Sequence, residues 1–211
     1  MRELRSTTGS LRGARAAFSS CESPDMIKQI RTNFSLNDPY ILFVGSLEPR
    51  KNLRMLLEAW RLGGFDGATL AVVGAIGSMF PKLQFDSTPR GVRLLGHVED
   101  DALPVLYSGA AGFVYPSVYE GFGLPPLEAL ACGCPIAVSD IPAHREVCGE
   151  RATYFDPFVS EDISSKLDWL LRSDGKLRES LAEQGLRRAA LYSWQSAASE
   201  TWRVLELATH S

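Results

Sequence analysis

The sequence predicts an α/β fold in which one parallel β-sheet of about six strands is doubly wound, with helices on both faces. From residue 40 onward, short apolar runs alternate with longer stretches whose apolar residues recur at helical spacing. The short runs are almost continuously apolar, which is typical of strands that are buried on both faces. The last third of the chain contains only helical patterns, so we expect helices to follow the sheet.

Each short run is bounded by turn residues and is rich in β-branched or aromatic side chains. The predicted strands are Tyr40–Val44, Thr69–Val73, Val92–Leu95, Gly112–Tyr115, Pro135–Val138 and Ala152–Phe155. The predicted helices are Asn52–Leu62, Asp100–Ser108, Pro125–Ala131, Glu161–Arg172, Lys176–Leu191 and Ser193–Thr209. The first helix places four large apolar side chains on one face, namely Leu53, Leu56, Leu57 and Trp60. We expect that face to pack on the sheet.

Length and composition restrict the class of protein. The chain has 211 residues, of which 45% are hydrophobic and 22% charged, and its formal net charge is −3. These values suit one globular domain and exclude collagen, coiled coil or disorder for the chain as a whole. A slightly acidic chain gives no electrostatic reason to expect nucleic acid as a partner. No run approaches the roughly 18 apolar residues of a membrane span, and the N-terminus lacks the apolar core of a signal peptide, so we expect a cytoplasmic protein.

The first 15 residues contain four arginines and one glutamate. An Arg- and Ser-rich, acid-poor start can mimic an organelle transit peptide. We favour the simpler interpretation, in which residues 1–20 are a remnant leader or linker outside the main fold, disordered by itself. The domain proper is then expected to span residues 21–211.

The four cysteines are Cys21, Cys132, Cys134 and Cys148. Without an export signal they are predicted to be reduced thiols. Cys132 and Cys134 form a Cys-x-Cys pair inside an apolar run, but neither a second pair nor histidines at ligand spacing follow. We therefore interpret both as buried thiols and expect no metal site.

Ligands of doubly wound sheets bind beyond the carboxyl ends of the strands, so we expect the binding residues in the loops that lead from strands into helices. The loop Gly45–Asn52 follows the first predicted strand and contains Arg50 and Lys51 side by side. Arginine offers a planar fork and lysine a point charge to phosphate oxygens, and together at a strand end they suit a diphosphate. An alternative stays open, in which the two cations are a solvated pair and one of them bridges to Glu48.

Two further loops carry weaker signals. The segment Val73–Ser78 resembles half of a dinucleotide-binding fingerprint, but the Gly-x-Gly-x-x-Gly spacing is absent, which argues against a nicotinamide site. The segment Gly96–Asp101 places acidic residues at the start of a predicted helix, where they favour its positive end. We interpret His97 in this segment as a hydrogen-bonded structural side chain and not as a catalyst.

The most informative loop follows the predicted strand Gly112–Tyr115. Gly121 and Gly123 leave backbone N–H groups without side chains around them, and the prolines that follow suit the first turn of a helix. Free amides at a helix N-terminus form an anion-binding site. Glu120 precedes these amides and Glu128 is expected in the first helical turn, so a carboxylate flanks the site on each side. Taken alone, Glu128 could instead cap its helix, and the glycines could be ordinary turn residues.

Glu120 and Glu128, with seven residues between them, resemble the E-x7-E motif of retaining glycosyltransferases of the GT-B fold, family 4, also called group 1. Longer runs are similar to the donor-binding, C-terminal domain of that family, namely residues 44–60, 94–117 and 120–157, and residues 193–202 resemble its final helix. The resemblance covers about residues 21–209. It implies a Rossmann-like domain, the C-terminal half of a GT-B fold, that binds a nucleotide-diphosphate sugar.

The resemblance also implies a role for each matching residue. Arg50 and Lys51 would neutralise the diphosphate and Glu120 would face the reacting carbon of the donor sugar, so these three are the expected catalytic residues. Glu128 would bind the ribose hydroxyls, and the backbone around Val98 would contact the base. The other expected donor-binding residues belong to the two glycine-containing loops: Gly45, Ser46, Gly121, Phe122, Gly123 and Leu124.

In this scheme the amides of residues 122–124 would hold sugar hydroxyls and the distal phosphate. Cations and amides that are already in place stabilise the charge of a leaving diphosphate, so no metal or other cofactor is expected. Many family members carry an arginine directly after the loop glycine, where this chain has Ser46. We expect Arg50, beside Lys51, to supply the second positive charge instead.

A GT-B enzyme needs a second, N-terminal domain that binds the acceptor, and residues 1–20 are too few to form one. The family's histidine-bearing N-terminal loop has no counterpart in this sequence. Because transfer needs an acceptor held against the donor in a closed cleft, we expect this chain to bind a nucleotide sugar but to transfer little sugar alone. The other expected partners are an N-terminal acceptor domain and a glycan or lipid-linked acceptor, with peripheral membrane association of the full-length enzyme. The sugar is expected to be a hexose, and the run GSLEPRKN leans weakly towards mannose.

Two alternatives stay open. The first is a natural one-domain subunit that pairs with a separate acceptor-domain chain, for which it would need an exposed apolar face. Trp194 and Trp202 are candidates for that face, although we favour packing in the core for both. The second is an unrelated Rossmann-type protein such as a dehydrogenase, against which the missing glycine fingerprint argues.

Overall fold

The computed structural model describes residues 18–21, 23–74 and 88–209. Its strands form one six-stranded parallel sheet: β1 (Tyr40–Val44), β2 (Thr69–Val73), β3 (Val92–Gly96), β4 (Gly112–Tyr115), β5 (Ile136–Ser139) and β6 (Thr153–Phe155). The strand order is β3-β2-β1-β4-β5-β6, which is that of a doubly wound, Rossmann-like sheet. The predicted fold class is therefore confirmed.

Helices in the described ranges are α1 (Pro24–Asn33), α2 (Leu53–Gly63), α3 (Leu103–Gly109), α4 (Leu124–Ala131), α5 (Pro142–Cys148), α6 (Ser160–Arg172), α7 (Gly175–Ala189) and α8 (Trp194–Thr209). Two short 3-10 helices, Pro49–Lys51 and Gly149–Arg151, interrupt the loops. Helices α2 and α6 pack together against one face of the sheet, whereas α1, α3, α4, α5 and α7 form a connected group on the other. Both faces of the central strands are thus covered.

Sequence periodicity did not predict α1 and α5. Helix α1 places Met26, Ile27 and Ile30 on one face but buries none of its side chains completely, and it precedes the alternation of strands and helices that begins at residue 40. Its start does carry a recognisable signal, because the Ser23 side chain accepts a hydrogen bond from the Met26 N–H and Pro24 occupies the first turn. Helix α5 has seven residues, which is too short to establish a helical period.

The core lies between the sheet and the two helix layers. Strand β2 is buried at every position, and α2 buries the four side chains that the sequence placed on one face. Strand β3 differs from the prediction of strands buried on both faces, because Arg93 and Leu94 are exposed. It lies at the edge of the sheet, where the covering layers end.

All four cysteines are free thiols, and Cys132 and Cys134 are buried as predicted. Burial raises the pKa of Cys132 to about 12, and it raises the pKa of Cys134 as well. Both side chains are therefore protonated thiols at neutral pH. Cys21 is only partly buried.

The prediction that Trp194 and Trp202 pack in the core is wrong. Helix α8 buries none of its residues, and the two tryptophans are 45% and 63% exposed. Val204 and Leu205 on the same helix are also exposed. The periodic apolar residues of α8 therefore form an exposed face, which is the feature that pairing with another domain or chain requires.

Some sequence predictions fall outside the described residues. The expected leader lies almost wholly within residues 1–17, and most of the Val73–Ser78 segment lies within residues 75–87. The domain bounds at residues 20 and 21 stay a prediction. No helix in the described ranges combines the length and the apolar character needed to cross a membrane.

Gly74, directly after β2, is a position where a side chain should be strongly destabilising. Its φ is +153°, and a Cβ there would overlap the backbone carbonyl of Gly45 at the start of the loop after β1. Backbone cannot rotate away as a side chain can, so Gly74→Ala should lower the free energy of unfolding by about 3 kcal/mol or more, measured by urea denaturation. Gly175→Ala is the matched control, because open space surrounds that position, and it should change stability by less than about 1 kcal/mol. Equal losses in both variants would contradict this reading of Gly74.

Candidate functional site

The candidate site lies where the strand order reverses, between β1 and β4. At such a switch point the loops leave neighbouring strands in opposite directions and open a crevice at the carboxyl edge of the sheet. The loop after β1 contains Arg50 and Lys51, and the loop after β4 contains Glu120. A hydrogen bond from the Val118 N–H to the Arg50 carbonyl, 2.9 Å long, ties the two loops together.

Arg50, Lys51 and Glu120 form one ion cluster. Lys51 Nζ lies 2.6 Å from Glu120 Oε1, and Arg50 Nη1 lies 3.1 Å from Glu120 Oε2, so each carboxylate oxygen holds one cation. The Lys51 and Glu120 side chains are each 8% exposed, whereas Arg50 is 42% exposed. The structure thus confirms that the three residues lie together, with a buried lysine and a half-exposed arginine.

Tyr115, which the sequence analysis did not single out, supports the buried lysine. It ends β4, and its hydroxyl accepts a hydrogen bond from Lys51 Nζ, which also lies 4.8 Å from the centre of the ring. Phe43 of the neighbouring strand β1 and Phe113 of β4 itself pack against the same ring. The sheet therefore fixes the position of the ammonium group. A tyrosine at the carboxyl end of a central strand was the available sequence signal.

Glu120 is ionised at neutral pH despite its burial. Burial alone would raise the pKa of this carboxyl, but the hydrogen bond from Lys51 and the positive charge of Lys51 outweigh it, so the pKa lies below its usual value. In this state the carboxylate is paired with Lys51 and Arg50, the cations that a bound anion would contact.

Glu48 is a second residue that the sequence analysis did not place in the site. Its Oε2 accepts a hydrogen bond from Arg50 Nε at 2.8 Å, and its Oε1 accepts one from Ser46 Oγ at 2.8 Å. These hydrogen bonds from Ser46 and Arg50 lower the pKa of Glu48. Arg50 therefore makes the bridge to Glu48 that the sequence left open, and it also makes a contact with Glu120 that the sequence did not predict. Two cations face two carboxylates, and the cluster as a whole is close to neutral.

Among the described residues, no acceptor takes a hydrogen bond from the backbone N–H groups of residues 121–123, so these amides are available to an anion. Helix α4 begins at Leu124, and Gly123 precedes it with a φ of +97° and no side chain that caps the helix. A proline in the first turn lacks the N–H that would otherwise need a partner. Gly121, Phe122 and Leu124 are exposed, whereas Gly123 is buried. The positive end of a helix of eight residues thus opens beside the ion cluster.

His144 lies directly beneath this loop. Its ring packs near Gly123 and lies 5.6 Å from the Tyr115 ring, and its Nδ1 is 2.9 Å from the Ser139 carbonyl oxygen. Nε2 has no hydrogen-bond partner in the described ranges. Burial lowers the pKa of His144, so the ring is neutral at neutral pH. The sequence did not predict His144 as part of the site, because no local pattern distinguishes it.

Glu128 lies in the second turn of α4 and not in the first, because the helix starts one residue earlier than predicted. It does not cap the helix. Instead, its Oε2 accepts a hydrogen bond of 3.2 Å from the hydroxyl of Tyr107, a buried residue that the sequence analysis also missed. Glu128 makes no hydrogen bond or ion pair with the Lys51–Glu120 cluster within the part of the chain described.

The loop after β3 corrects one prediction. His97 is not a hydrogen-bonded structural side chain: it is 74% exposed, and its Nε2 lies 3.9 Å from Glu99, beyond hydrogen-bond distance. Val98, the expected base contact, is 5% exposed. The surrounding acids precede α3, since that helix begins at Leu103.

A parallel sheet of this order, with two cations after β1 and a free helix N-terminus after β4, defines a Rossmann-like domain whose switch point offers positive groups to an anion. The chain belongs to the family of glycosyl transferases group 1, whose model matches residues 26–188. Membership of this family excludes the alternative of an unrelated dehydrogenase. The numbered assignment to family 4 stays a prediction.

The relatives are consistent with this membership. Over 175 residues the chain is 38% identical to O-antigen chain mannosyltransferase B of Escherichia coli, a match that covers 80% of this chain and 46% of that protein. The chain thus spans about half the length of this curated relative.

Two solved structures share the fold. The C-terminal domain of the glycosyl transferase group 1 family protein LpcC from Francisella tularensis superposes with a TM-score of 0.69 and 24% identity, over 84% of this chain and 96% of that one. The Anabaena protein Alr3699/HepE, in complex with UDP-glucose, gives a TM-score of 0.77 at 17% identity, over 91% of this chain and 55% of that one. The domain accordingly has the Rossmann-like fold of the C-terminal half of a GT-B glycosyltransferase, as predicted.

Proposed function

We propose that this domain binds a nucleoside-diphosphate hexose and is the donor half of a retaining glycosyltransferase that acts on a glycan or lipid-linked acceptor. The observation that carries the proposal is the position of the Lys51–Glu120–Arg50 cluster, which adjoins the free amides of α4 at the switch point. Cations and helix amides at one crevice suit a diphosphate, and a buried carboxylate next to them suits the sugar that the diphosphate carries.

Each group has a defined part in this proposal. As the bond between the sugar and the diphosphate breaks, negative charge develops on the phosphate oxygens, and Arg50, Lys51 and the amides of residues 122–124 stabilise it. Gly45 and Ser46 let the backbone approach the phosphates. Glu120, once displaced from its cations, faces the reacting carbon and the sugar hydroxyls. The protein's own cations supply the charge, and we propose that no metal is needed.

The nucleoside binds on the other side of the crevice in this proposal. Glu128 accepts the ribose hydroxyls, and the backbone around Val98 contacts the base. The complex of Alr3699/HepE with UDP-glucose supports a nucleotide sugar as the donor class. The similarity to an O-antigen chain mannosyltransferase supports mannose as the hexose and polysaccharide assembly as the setting.

We propose that an acceptor-binding half completes the enzyme. The exposed face of α8, with Trp194 and Trp202, supports a docked partner. That partner is an N-terminal domain of the same enzyme in the leading version and a separate subunit in the alternative. The completed enzyme is proposed to work in the cytoplasm, at the inner face of a membrane that holds its acceptor. Size-exclusion chromatography of this chain mixed with native partners distinguishes the two versions.

A thermal-shift panel of GDP, UDP, ADP and their sugars tests donor binding. A ligand that binds only the folded state at one hundred times its Kd stabilises the protein by about 2.7 kcal/mol, so a clear rise in Tm is expected for one base. Inorganic phosphate at equal concentration is the control and should give a much smaller rise. If no nucleotide on the panel raised Tm, the proposed function would fail.

The isolated chain should transfer little sugar. Without an acceptor half, the donor is not held against an acceptor in a closed cleft, and the advantage of bringing two reactants together is lost. The measurement is product formation from the donor that binds best, with a glycan acceptor, in the absence and presence of an added acceptor half. Robust turnover by this chain alone would overturn the expectation.

A further inference from the structure

Tyr107 makes one hydrogen bond to a residue of the candidate site, Glu128. This residue of α3 is completely buried, and its hydroxyl donates a hydrogen bond to Glu128 Oε2 at 3.2 Å. No other hydrogen bond to the Glu128 carboxylate comes from the described ranges of the chain. The orientation of this carboxylate therefore depends on a single phenol.

The phenol is itself held rigidly. Phe113 of β4 packs edge-on against the Tyr107 ring with 5.4 Å between ring centres, and Phe18 packs in the same manner at 6.1 Å. A tyrosine has only two side-chain torsions, and both are restrained when the ring is enclosed in this way. The hydroxyl is thus a fixed donor, whereas the partly buried Glu128 side chain on α4 has more torsions to restrain.

The surroundings of Glu128 disfavour its ionised form, which the hydrogen bond from Tyr107 stabilises. Burial raises the pKa of Glu128, Asp100 in the loop before α3 raises it further, and the hydrogen bond from Tyr107 lowers it. Cys132, at the end of α4, is another titratable neighbour and is uncharged at neutral pH. Of these neighbours, Tyr107 is the one that favours the ionised carboxylate.

We infer that Tyr107 is a positioning residue for nucleoside recognition, because its hydroxyl orients the Glu128 carboxylate so that it accepts the ribose hydroxyls of the donor. The inference rests on the proposed function, in which Glu128 is the ribose-binding residue. It deepens that function in one respect, since the Tyr107–Glu128 pair makes the site select ribonucleotide over deoxyribonucleotide donors. A site built to bind a hydroxyl discriminates against a ligand that lacks it, because its buried polar groups are then left without partners.

The test compares two ligands on four proteins. The ligands are the nucleoside diphosphate that binds best among GDP, UDP and ADP, and its 2′,3′-dideoxy form. The proteins are the wild type, Tyr107→Phe, Glu128→Gln and the control Tyr40→Phe. Tyr40 is another buried tyrosine, and its hydroxyl bonds to the carbonyl of Leu106, the neighbour of Tyr107 on α3. The control therefore loses a buried hydroxyl near the same helix without touching Glu128.

The readout is the ratio of the two dissociation constants, which a general loss of stability does not change. The wild type and Tyr40→Phe should prefer the ribonucleotide by about tenfold or more. Tyr107→Phe should lose most of that preference and approach Glu128→Gln, while its affinity for the dideoxy ligand stays that of the wild type.

The pH dependence provides a second readout. Ribose binding needs the ionised carboxylate, so affinity falls as pH falls through the pKa of Glu128. Without the hydroxyl of Tyr107 that pKa rises, and the loss of affinity should begin at a higher pH in Tyr107→Phe than in the wild type. The sugar-linked nucleotide is used for this series, because its diphosphate does not titrate near neutral pH.

The two possible failures are distinguishable. If Glu128→Gln kept the wild-type ratio, the ribose-binding role of Glu128 in the proposed function would be wrong. If Glu128→Gln lost the preference but Tyr107→Phe kept both the ratio and the wild-type pH profile, the positioning role of Tyr107 would be overturned. A loss of preference in Tyr40→Phe equal to that in Tyr107→Phe would also overturn it.

Discussion

Replacement of Glu120 by glutamine is expected to raise the affinity of this domain for a nucleoside diphosphate. In the ligand-free structure both carboxylate oxygens of Glu120 are bound to the cations that the diphosphate needs, Lys51 and Arg50. A diphosphate must displace this internal anion before it can bind them. Glutamine keeps the shape but not the charge, and removal of the competitor should tighten binding about tenfold, or by ~1.4 kcal/mol.

The same substitution should destabilise the unliganded protein. The Lys51 side chain is 8% exposed, and without the charge of Glu120 its remaining hydrogen-bond partner in the described part of the chain is the neutral phenol of Tyr115. Breaking a buried ion pair on one side typically costs about 3 kcal/mol, although the glutamine oxygen recovers part of this. The diphosphate supplies the missing negative charge. The rise in Tm on addition of ligand should therefore be larger in Glu120→Gln than in the wild type.

Calorimetric titration and thermal unfolding measure the two effects. Glu48→Gln is the matched control, because Glu48 bonds to Arg50 but not to Lys51, so its effect on affinity should be small. Transfer by the completed enzyme should fall in Glu120→Gln, since the proposed catalytic carboxylate is gone. A lower affinity of Glu120→Gln for the nucleoside diphosphate would show that Glu120 does not compete with it.

Lys51→Met should have the largest effect on ligand binding. Methionine keeps the apolar stem against Tyr115 but removes a charge that the sheet holds in a fixed position. Loss of a fixed cation from a diphosphate site should weaken binding about 100-fold, or by ~2.7 kcal/mol. Arg50→Met should weaken binding less, about tenfold, because Arg50 is half-exposed and its charge is screened by water.

The contributions of Arg50 and Lys51 to binding should also differ in their dependence on ionic strength. The contribution of the exposed Arg50 should shrink at high ionic strength, whereas that of the buried Lys51 should persist. Titrations of both variants at low and high salt check this, and the double variant Lys51→Met with Glu120→Gln shows whether the loss reflects the missing cation or a freed carboxylate. If Arg50→Met bound like the wild type at low salt, Arg50 would not supply the second charge that Ser46 lacks.

The sequence predicted the features of the site that depend on local patterns, namely the strands, the loops that follow them and the start of α4. The strands could be placed because most of them are nearly continuous apolar runs, and strands β1 and β4 bring their following loops to one edge of the sheet. Arg50, Lys51 and Glu120 lie in those loops, so their meeting follows from topology. The two glycines before α4 and the prolines in its first turn likewise indicate a free helix N-terminus.

The parts that it missed depend on contacts between distant positions. Tyr115 and Lys51 are 64 residues apart, and Tyr107 and Glu128 are 21 apart, so no local spacing relates them. The same limit explains α8. Periodicity predicts that a helix has an apolar face, but only the packing of the whole chain decides whether that face is covered.

The edge-to-face contact between Phe122 and Tyr192 connects the loop before α4 with the segment that leads into α8. Phe122 belongs to the segment of residues 121–124 that leads into α4, which we call the amide loop. Tyr192 lies in the short connection between α7 and α8, and the two ring centres are 5.7 Å apart. Arg188 of α7 donates a hydrogen bond to the Tyr192 hydroxyl at 2.9 Å and so restrains it. A shift of α8 that moves Tyr192 therefore changes the surface on which the amide loop rests. Coupling between two binding sites is reciprocal. If a protein docked on α8 changes the free energy of donor binding, a bound donor changes the free energy of docking by the same amount.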